Sequence, residues 1–250
     1  MKKVLSSIYA IVCYAIGFVS LLYWIASTGN LFPSIAIDGI PNMDTFTALL
    51  KNFGLVALFG IQHTVMARKN FKEWITKFIP QHLERSTYVL ATGIVLTLLV
   101  WQWEPVGGII WSIDKENSWY FIIYGFYFFG WIILFISTFL INHFDLFGLR
   151  QAYLNIKREP YKDVKFKVVA FYKYTRHPLY LGAIIGIWST PQMTVTHLIY
   201  ALMLTGYILV GVYYEEKDLI ANFGSEYLKY KAKTPKIIPI RIGVKGRKRN

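Results

Sequence analysis

Five apolar runs of about twenty residues each constrain this chain more than any other feature. They are Val4–Ala26, Phe46–Ala67, Ser86–Trp103, Trp119–Ile141 and Val195–Tyr214. At 1.5 Å per residue, a helix of that length crosses the roughly 30 Å hydrocarbon core of a bilayer. A shorter apolar segment, Leu179–Ser189, precedes the last run. It is too short to cross alone unless helix continues into Arg176 or a neighbour shields its end. The expected fold class is all-α: a polytopic integral membrane protein with five long transmembrane helices plus a short helix that forms a carboxyl-terminal hairpin. An apolar content of 55% with 18% aromatics fits a chain that has lipid for a solvent. The first run follows Met1-Lys2-Lys3, but it is too long for a signal h-region and no small-x-small cleavage site follows it, so it reads as a membrane helix. With no internal repeat, residues 1–250 read as one membrane domain. Residues 1–141 form its four-helix part, and 142–250 carry a loop, the hairpin and a basic tail.

The formal net charge of +13 raises nucleic acid as a partner, but the placement of the charge argues against it. Ser27–Thr45 holds no Lys or Arg, and Glu104–Ser118 holds only Lys115. Arg68–Arg85 and Asn142–His177 are rich in both, and the tail is basic from Lys217 to Arg249, ending in Lys245–Asn250, which reads as frayed. This alternation is the positive-inside pattern. It puts both termini in the cytoplasm and requires a full hairpin turning at Thr190-Pro191-Gln192. The lipid bilayer is therefore the expected surroundings, with no nucleic-acid partner. Cys13, the one cysteine, excludes an intrachain disulfide and a Cys-rich zinc site, and five scattered histidines point to no metal.

Polar groups in or beside the spans are the candidates for function. Lys51 reads as a snorkelling side chain, and His63 either bonds to a neighbouring helix or lines a site. The fourth helix ends in Asn142, His143, Asp145, Arg150 and Gln151, either a solvated helix exit or the floor of a pocket in which Arg150 binds an anion. Pro178 suits the first position of a helix, which places Arg176 and His177 at its open N–H groups, where an anion is welcome. Tyr172 and Tyr180 flank that point with aromatic faces that stack a planar heterocycle or attract a cation. Glu215 and Glu216 follow the last span on the same side, one free to hold ligand hydroxyls or a basic nitrogen and the other to pair with Arg176. The ligand outlined is zwitterionic, with a purine and a cationic centre.

RHPLYLG at Arg176–Gly182, the apolar hairpin and EEKDLIANFGSEYLKYKAKTPKIIP at Glu215–Pro239 resemble the integral-membrane methyltransferases typified by isoprenylcysteine carboxyl methyltransferase. Within that superfamily NHFDLFGLRQ at Asn142–Gln151 and the WSTPQMT string look like the methanethiol S-methyltransferase branch, related to NnrU-type membrane proteins. The resemblance implies S-adenosylmethionine as cofactor in a pocket on the cytoplasmic side. His177, Pro178, Leu179 and Tyr180 are then the cofactor loop, with Tyr172, Glu215 and, more loosely, Gln151 as further contacts; Arg176 and Glu216 join the expected cofactor-binding set from the reading of the residues above. Prenylcysteine methyltransferases carry an Arg four residues before the first glutamate, where this chain has Gly211, which favours a small neutral thiol as substrate. The implied reaction methylates methanethiol to dimethyl sulfide at a bacterial inner membrane. His143 or Glu215 would take the thiol proton and Arg150 would stabilise the anion. The aromatic residues Trp119–Trp131 either pack and face lipid or line a route for the thiol. Another thiol or an isoprenoid acceptor stays open, as does a transporter or structural membrane protein, although a transporter is expected to show broken helices in both halves.

Overall fold

The computed structural model describes residues 2–240; the basic end Lys245–Asn250 lies outside the described residues. Among the described residues, five helices are long and apolar enough to span a membrane. They are α1 (Lys2–Thr28), α2 (Thr45–Ala67), α4 (Glu84–Trp101), α5 (Ser118–Ile141) and α9 (Val195–Lys233). Three short helices, α3 (Lys69–Ile75), α6 (His143–Leu146) and α7 (Leu149–Lys157), lie in the Lys- and Arg-rich connections. Side-chain caps fix where spans begin: Asp44 accepts from Thr47 N–H, Asn117 from Trp119 N–H and Thr194 from His197 N–H, each satisfying a donor the helix leaves open. The chain is a multi-pass, all-α membrane protein, as its apolar runs require.

The short helix is α8, Pro178–Trp188, with proline in its first turn. Its eleven residues reach roughly 16 Å, about half of the hydrocarbon thickness. The chain then turns through β2 (Gln192–Thr194), which pairs antiparallel with β1 (Ile109–Ser112) from the α4–α5 connection. This ribbon was not anticipated; it ties the hairpin tip to the other lysine-poor loop. Beside it Asp38 accepts from Asn30 at 2.6 Å and from Thr194, and faces His197 Nδ1 at 3.2 Å, while His197 Nε2 lies 2.8 Å from the Ile187 carbonyl oxygen. At the opposite end Arg85 donates to the Leu146 carbonyl at 2.7 Å, His82 lies 3.1 Å from the Ser6 hydroxyl, and Arg68 pairs with Asp218 at 2.7 Å. The basic connections thus share one end of the bundle.

One difference from the sequence reading is the length of α9, which continues from Tyr214 to Lys233. Past the apolar run, Glu216, Phe223, Tyr227 and Tyr230 keep a helical spacing, and the face they form turns inward. Gly224 breaks that helix with φ 54° and ψ −127°, a conformation that side chains disfavour.

Glycines let spans meet by their backbones, the usual device where lipid removes any hydrophobic drive between helices. A Cβ at Gly182 of α8 would meet the Gly130 carbonyl oxygen at 2.5 Å and Leu134 N at 2.7 Å, both on α5. Gly93 of α4 packs in the same way on Gly17 of α1, whose Cα would lie 3.0 Å from an added Cβ. Around these contacts Tyr127, Trp131, Leu99, Ile187 and Tyr200 are buried. Tyr127 donates to the Ile25 carbonyl, whereas Trp119, Phe121, Phe126, Phe128 and Phe129 are exposed on the outside of α5. The aromatic stretch therefore packs and faces outward. Because the Gly182 contact is backbone against backbone, Gly182→Val should force α8 off α5 and cost about 1–3 kcal/mol or more. Thermal unfolding in detergent checks this; an unchanged midpoint would mean the two helices separate without cost.

Candidate active site

The chain from Tyr172 to His177 is fastened to the end of α9. Arg176 N–H donates to the Pro235 carbonyl at 2.9 Å and His177 N–H to that of Lys236 at 3.2 Å. Thr175 Oγ1 donates to the same Lys236 oxygen at 3.1 Å, and the Tyr230 hydroxyl to the Tyr172 carbonyl at 2.6 Å. The centre of this join is a buried ion pair. Arg176 Nε and Nη2 each lie 2.7 Å from Glu216 Oε1, while Nη1 donates to the carbonyls of Lys231 and Thr234. Lys231 Nζ reaches the other Glu216 oxygen at 2.9 Å. Neighbours along a helix point about 100° apart. Glu215 is accordingly 41% exposed where Glu216 is 6% exposed.

Glu215 looks into a cavity of about 520 Å³, a size suited to a drug-sized ligand. Its mouth, at the basic end of the bundle, carries Tyr172, His177, Tyr180 and Glu215 from the hairpin side and Lys72 and Arg85 from the other. Farther in, the walls are apolar, with Leu21, Leu96, Leu134, Ile187, Leu204 and Ile208. Leu179 and Arg176 also line it, but the donors of Arg176 are taken by Glu216 and two carbonyls. The anion site expected at Arg176 is therefore corrected: that cation is neutralised from inside. Lys72 has no side-chain partner among the described residues, and Arg85 donates Nε to Leu146 while its guanidinium lies 4.7 Å from the Tyr88 ring centroid. These two cations at the mouth were not singled out by the sequence; Arg85 and Tyr88 are three apart and so share one face of α4.

Several expected residues lie elsewhere. Glu216 is internal, and Pro178 is buried at the start of α8, outside the lining. Arg150 faces a separate shallow depression, donating to Asp145 at 2.7 Å and to the Lys162 carbonyl at 3.1 Å. Gln151 donates to the Asp145 carbonyl at 3.2 Å, and its Oε1 is buried without a hydrogen bond. His143 is buried between the Tyr14 hydroxyl at 3.0 Å and Thr138 Oγ1 at 2.8 Å, with Phe139 stacked at 4.2 Å. These three, close in sequence, bond to their own surroundings instead of opening on the cavity. Asp145 takes the charge of Arg150, so the expected anion stabiliser has no free charge there, and His143 does not reach the cavity as a proton acceptor.

Burial pushes the His177 imidazole down from its ordinary range, opposed by the carboxylates of Glu215 and Glu216, 3.8 and 3.3 Å away. Burial, and then the Glu215 charge, holds the Tyr172 phenol protonated.

Fold and cavity define a class: a polytopic α-helical membrane protein whose internal cavity is polar at one end and apolar at the other. Comparison with known proteins narrows it. The chain is 46% identical to the methanethiol S-methyltransferase of Crocosphaera subtropica, over 96% of this chain and 93% of that one. It is 38% identical to the enzyme of the same name from Mycobacterium tuberculosis, over 96% and 98%. Nurim of Bos taurus is 28% identical over 73% of this chain and 72% of its own. The chain belongs to the methanethiol S-methyltransferase family of membrane enzymes, and a methyltransferase implies a methyl donor. No family model matches the chain. No solved structure matches it either.

Two measurements test the electrostatics of the join. Glu216→Ala strands the buried Arg176 charge and should cost about 3–5 kcal/mol of stability, whereas Glu215→Ala, at the mouth, should cost well under 1 kcal/mol; equal losses in thermal unfolding would refute the division of labour. The depressed His177 means that the unfolded chain binds a proton the folded one resists. Its contribution is intact above the unfolded value of about 6.5 and is lost as pH falls through the lower folded one. His177→Gln should therefore flatten the fall in unfolding midpoint below about pH 6.5 relative to the unsubstituted protein.

Proposed function

We propose that this protein transfers the methyl group of S-adenosylmethionine to methanethiol, giving dimethyl sulfide and S-adenosylhomocysteine. The observation that carries the reading is one cavity with two characters, a charged aromatic mouth and an apolar interior, in a chain related over nearly its whole length to enzymes named for that activity. Tyr172 and Tyr180 offer aromatic faces for the purine, and Glu215 accepts from ribose hydroxyls or an ammonium group. Lys72 and Arg85, with the open N–H groups of the first turn of α8, suit the amino-acid carboxylate. His177 positions this wall through its two carboxylate neighbours. When bound, the cofactor supplies an electrophilic sulfonium methyl.

The apolar walls favour a small neutral thiol and exclude water from the reacting sulfur, so that orientation along the methyl–sulfur axis carries much of the rate. A thiol is mostly protonated at neutral pH, so a base is needed. Glu215 answers that need only at the mouth; Arg150 and His143 sit outside the cavity and take no part. The basic end of the bundle faces the cytoplasm, where the cofactor is made, and a bacterial inner membrane is the setting.

Headspace gas chromatography on detergent-solubilised protein tests this. Dimethyl sulfide should form from S-adenosylmethionine and methanethiol, His177→Ala and Glu215→Ala should lose at least about tenfold in rate, the equivalent of one lost hydrogen bond to a charge, and Arg150→Ala should keep near-full activity. S-adenosylhomocysteine binding without dimethyl sulfide would keep the methyltransferase and discard the acceptor. Absence of binding would return the protein to the transporter or structural reading.

A further inference from the structure

We propose that His63 is the general base that takes the thiol proton, with Tyr88 as its proton outlet. The inference deepens the reading above and rests on it. Two histidines line the cavity among the described residues, and they are not equivalent. His177 sits between two carboxylates, 3.8 Å from Glu215 and 3.3 Å from Glu216, so a proton taken there is held in the network of Arg176 and Lys231. His63, near the end of α2, is hydrogen-bonded only to hydroxyls among the described residues. The Tyr88 oxygen lies 3.0 Å from Nδ1 and 2.9 Å from Nε2, and Thr92 Oγ1 lies 3.4 Å from Nδ1.

A hydroxyl turns about its C–O bond and donates or accepts as required. Because one oxygen serves both nitrogens, the Tyr88 hydroxyl accepts from the protonated nitrogen of neutral His63 and can leave the other to accept, and the imidazolium finds Tyr88 as an acceptor; among the described residues no carboxylate or backbone carbonyl bonds the ring. Phe59 stacks on the ring at 5.5 Å and Tyr207 of α9 meets it edge-on at 6.4 Å, which fixes its plane toward the cavity. The charged and titratable groups facing this cluster are Arg85 and Tyr88 on α4, Tyr207 on α9, the paired Arg68 and Asp218, and Lys72, Tyr180 and Glu215 at the mouth. The unpaired cations Lys72 and Arg85 favour an anionic sulfur and press the proton outward once it has been taken.

In the step, the thiol S–H bond breaks and its proton moves to a His63 nitrogen. The electron pair left on that sulfur forms the new S–CH3 bond while the methyl–sulfonium bond breaks, its pair staying on the departing sulfur, which becomes neutral. His63 then returns its proton through the Tyr88 hydroxyl to the mouth.

The test uses the full-length protein in detergent with His63→Gln, His63→Ala and Tyr88→Phe. It reads S-adenosylhomocysteine binding by calorimetry and the pH profile of dimethyl sulfide formation. His63→Gln should bind S-adenosylhomocysteine within about threefold of the unsubstituted protein but lose about 10²–10⁴-fold in kcat at pH 7. Its rate should then rise about tenfold per pH unit with the thiol's own ionisation, where the unsubstituted protein levels off. Imidazole should partly restore His63→Ala. A His63→Gln variant with an unchanged kcat and pH profile overturns the proposal. If the His63 variants fail to bind S-adenosylhomocysteine, Tyr88→Phe decides: a displaced profile supports the relay and an unchanged one overturns it. Failure of the unsubstituted protein to make dimethyl sulfide would instead sink the reading on which the inference rests.

Discussion

The buried pair Arg176–Glu216 organises the half of the molecule that carries the cavity mouth. Neither charge tolerates burial alone, because desolvation costs several kcal/mol per ion and only a close, fully bonded partner offsets it. Glu216 obtains Arg176, Lys231 and His177; Arg176 obtains Glu216 and the carbonyls of Lys231 and Thr234. Satisfying both sets of bonds brings the segment before α8, the end of the last span and the chain beyond Thr234 to one point. Tyr172, His177 and Tyr180 then stand opposite Lys72 and Arg85 as a consequence. Helical geometry does the rest: with Glu216 turned inward, the next residue back, Glu215, is turned toward the cavity.

The second constraint is the shortness of α8. A helix of about 16 Å leaves its ends within reach of the hydrocarbon, and exposed polar backbone is not tolerated there. Gly130, Gly182 and Gly186 solve this by pressing α8 directly on α5, and the Ile187 carbonyl is met by His197. The start of α8 is covered by the join with the Pro235 and Lys236 carbonyls. What shields a short helix also fixes its first turn in space, so the same contacts that permit it make its open N–H groups a rigid wall of the cavity.

How much of this the sequence disclosed depends on the range of the interaction. The spans were legible because length and apolarity are local; the caps Asp44, Asn117 and Thr194, a residue or two before the apolar runs, emerged only with the structure. Glu215 and Glu216 were legible as a pair with divided duties, since adjacent helical residues must diverge. Which of the two glutamates would pair with Arg176 was left open, and giving Arg176 two duties, an anion and a glutamate, overlooked that a guanidinium held from within has none left over. Asn142–Gln151 divides: Leu146 and Phe147 line the cavity, while Asp145 collects Arg150 and Gln151 away from it, because polar residues so close together bond most readily to one another. Lys72, Arg85 and Tyr88 left no local signature, because α3 and α4 reach the cavity through their packing on α2, which in turn meets α9, and no spacing encodes that.

The gradient inside the cavity limits where chemistry takes place. On the proposed reading, a charged cofactor belongs where cations, carboxylate and phenols lie and a small apolar thiol where leucines and isoleucines lie, so the two would meet at the boundary between the zones. That boundary is lined by ring-bearing residues, Tyr207 on α9 and Tyr88 with His63 across α4 and α2, with Tyr180 of α8 at the mouth. On the proposed reading, neutral hydroxyls there would leave the charge of a sulfonium uncompensated and its methyl electrophilic; a carboxylate in the same place would quench it. The carboxylates stand back, Glu216 inside its ion pair and Glu215 at the mouth, and the boundary is left to hydroxyls and one imidazole.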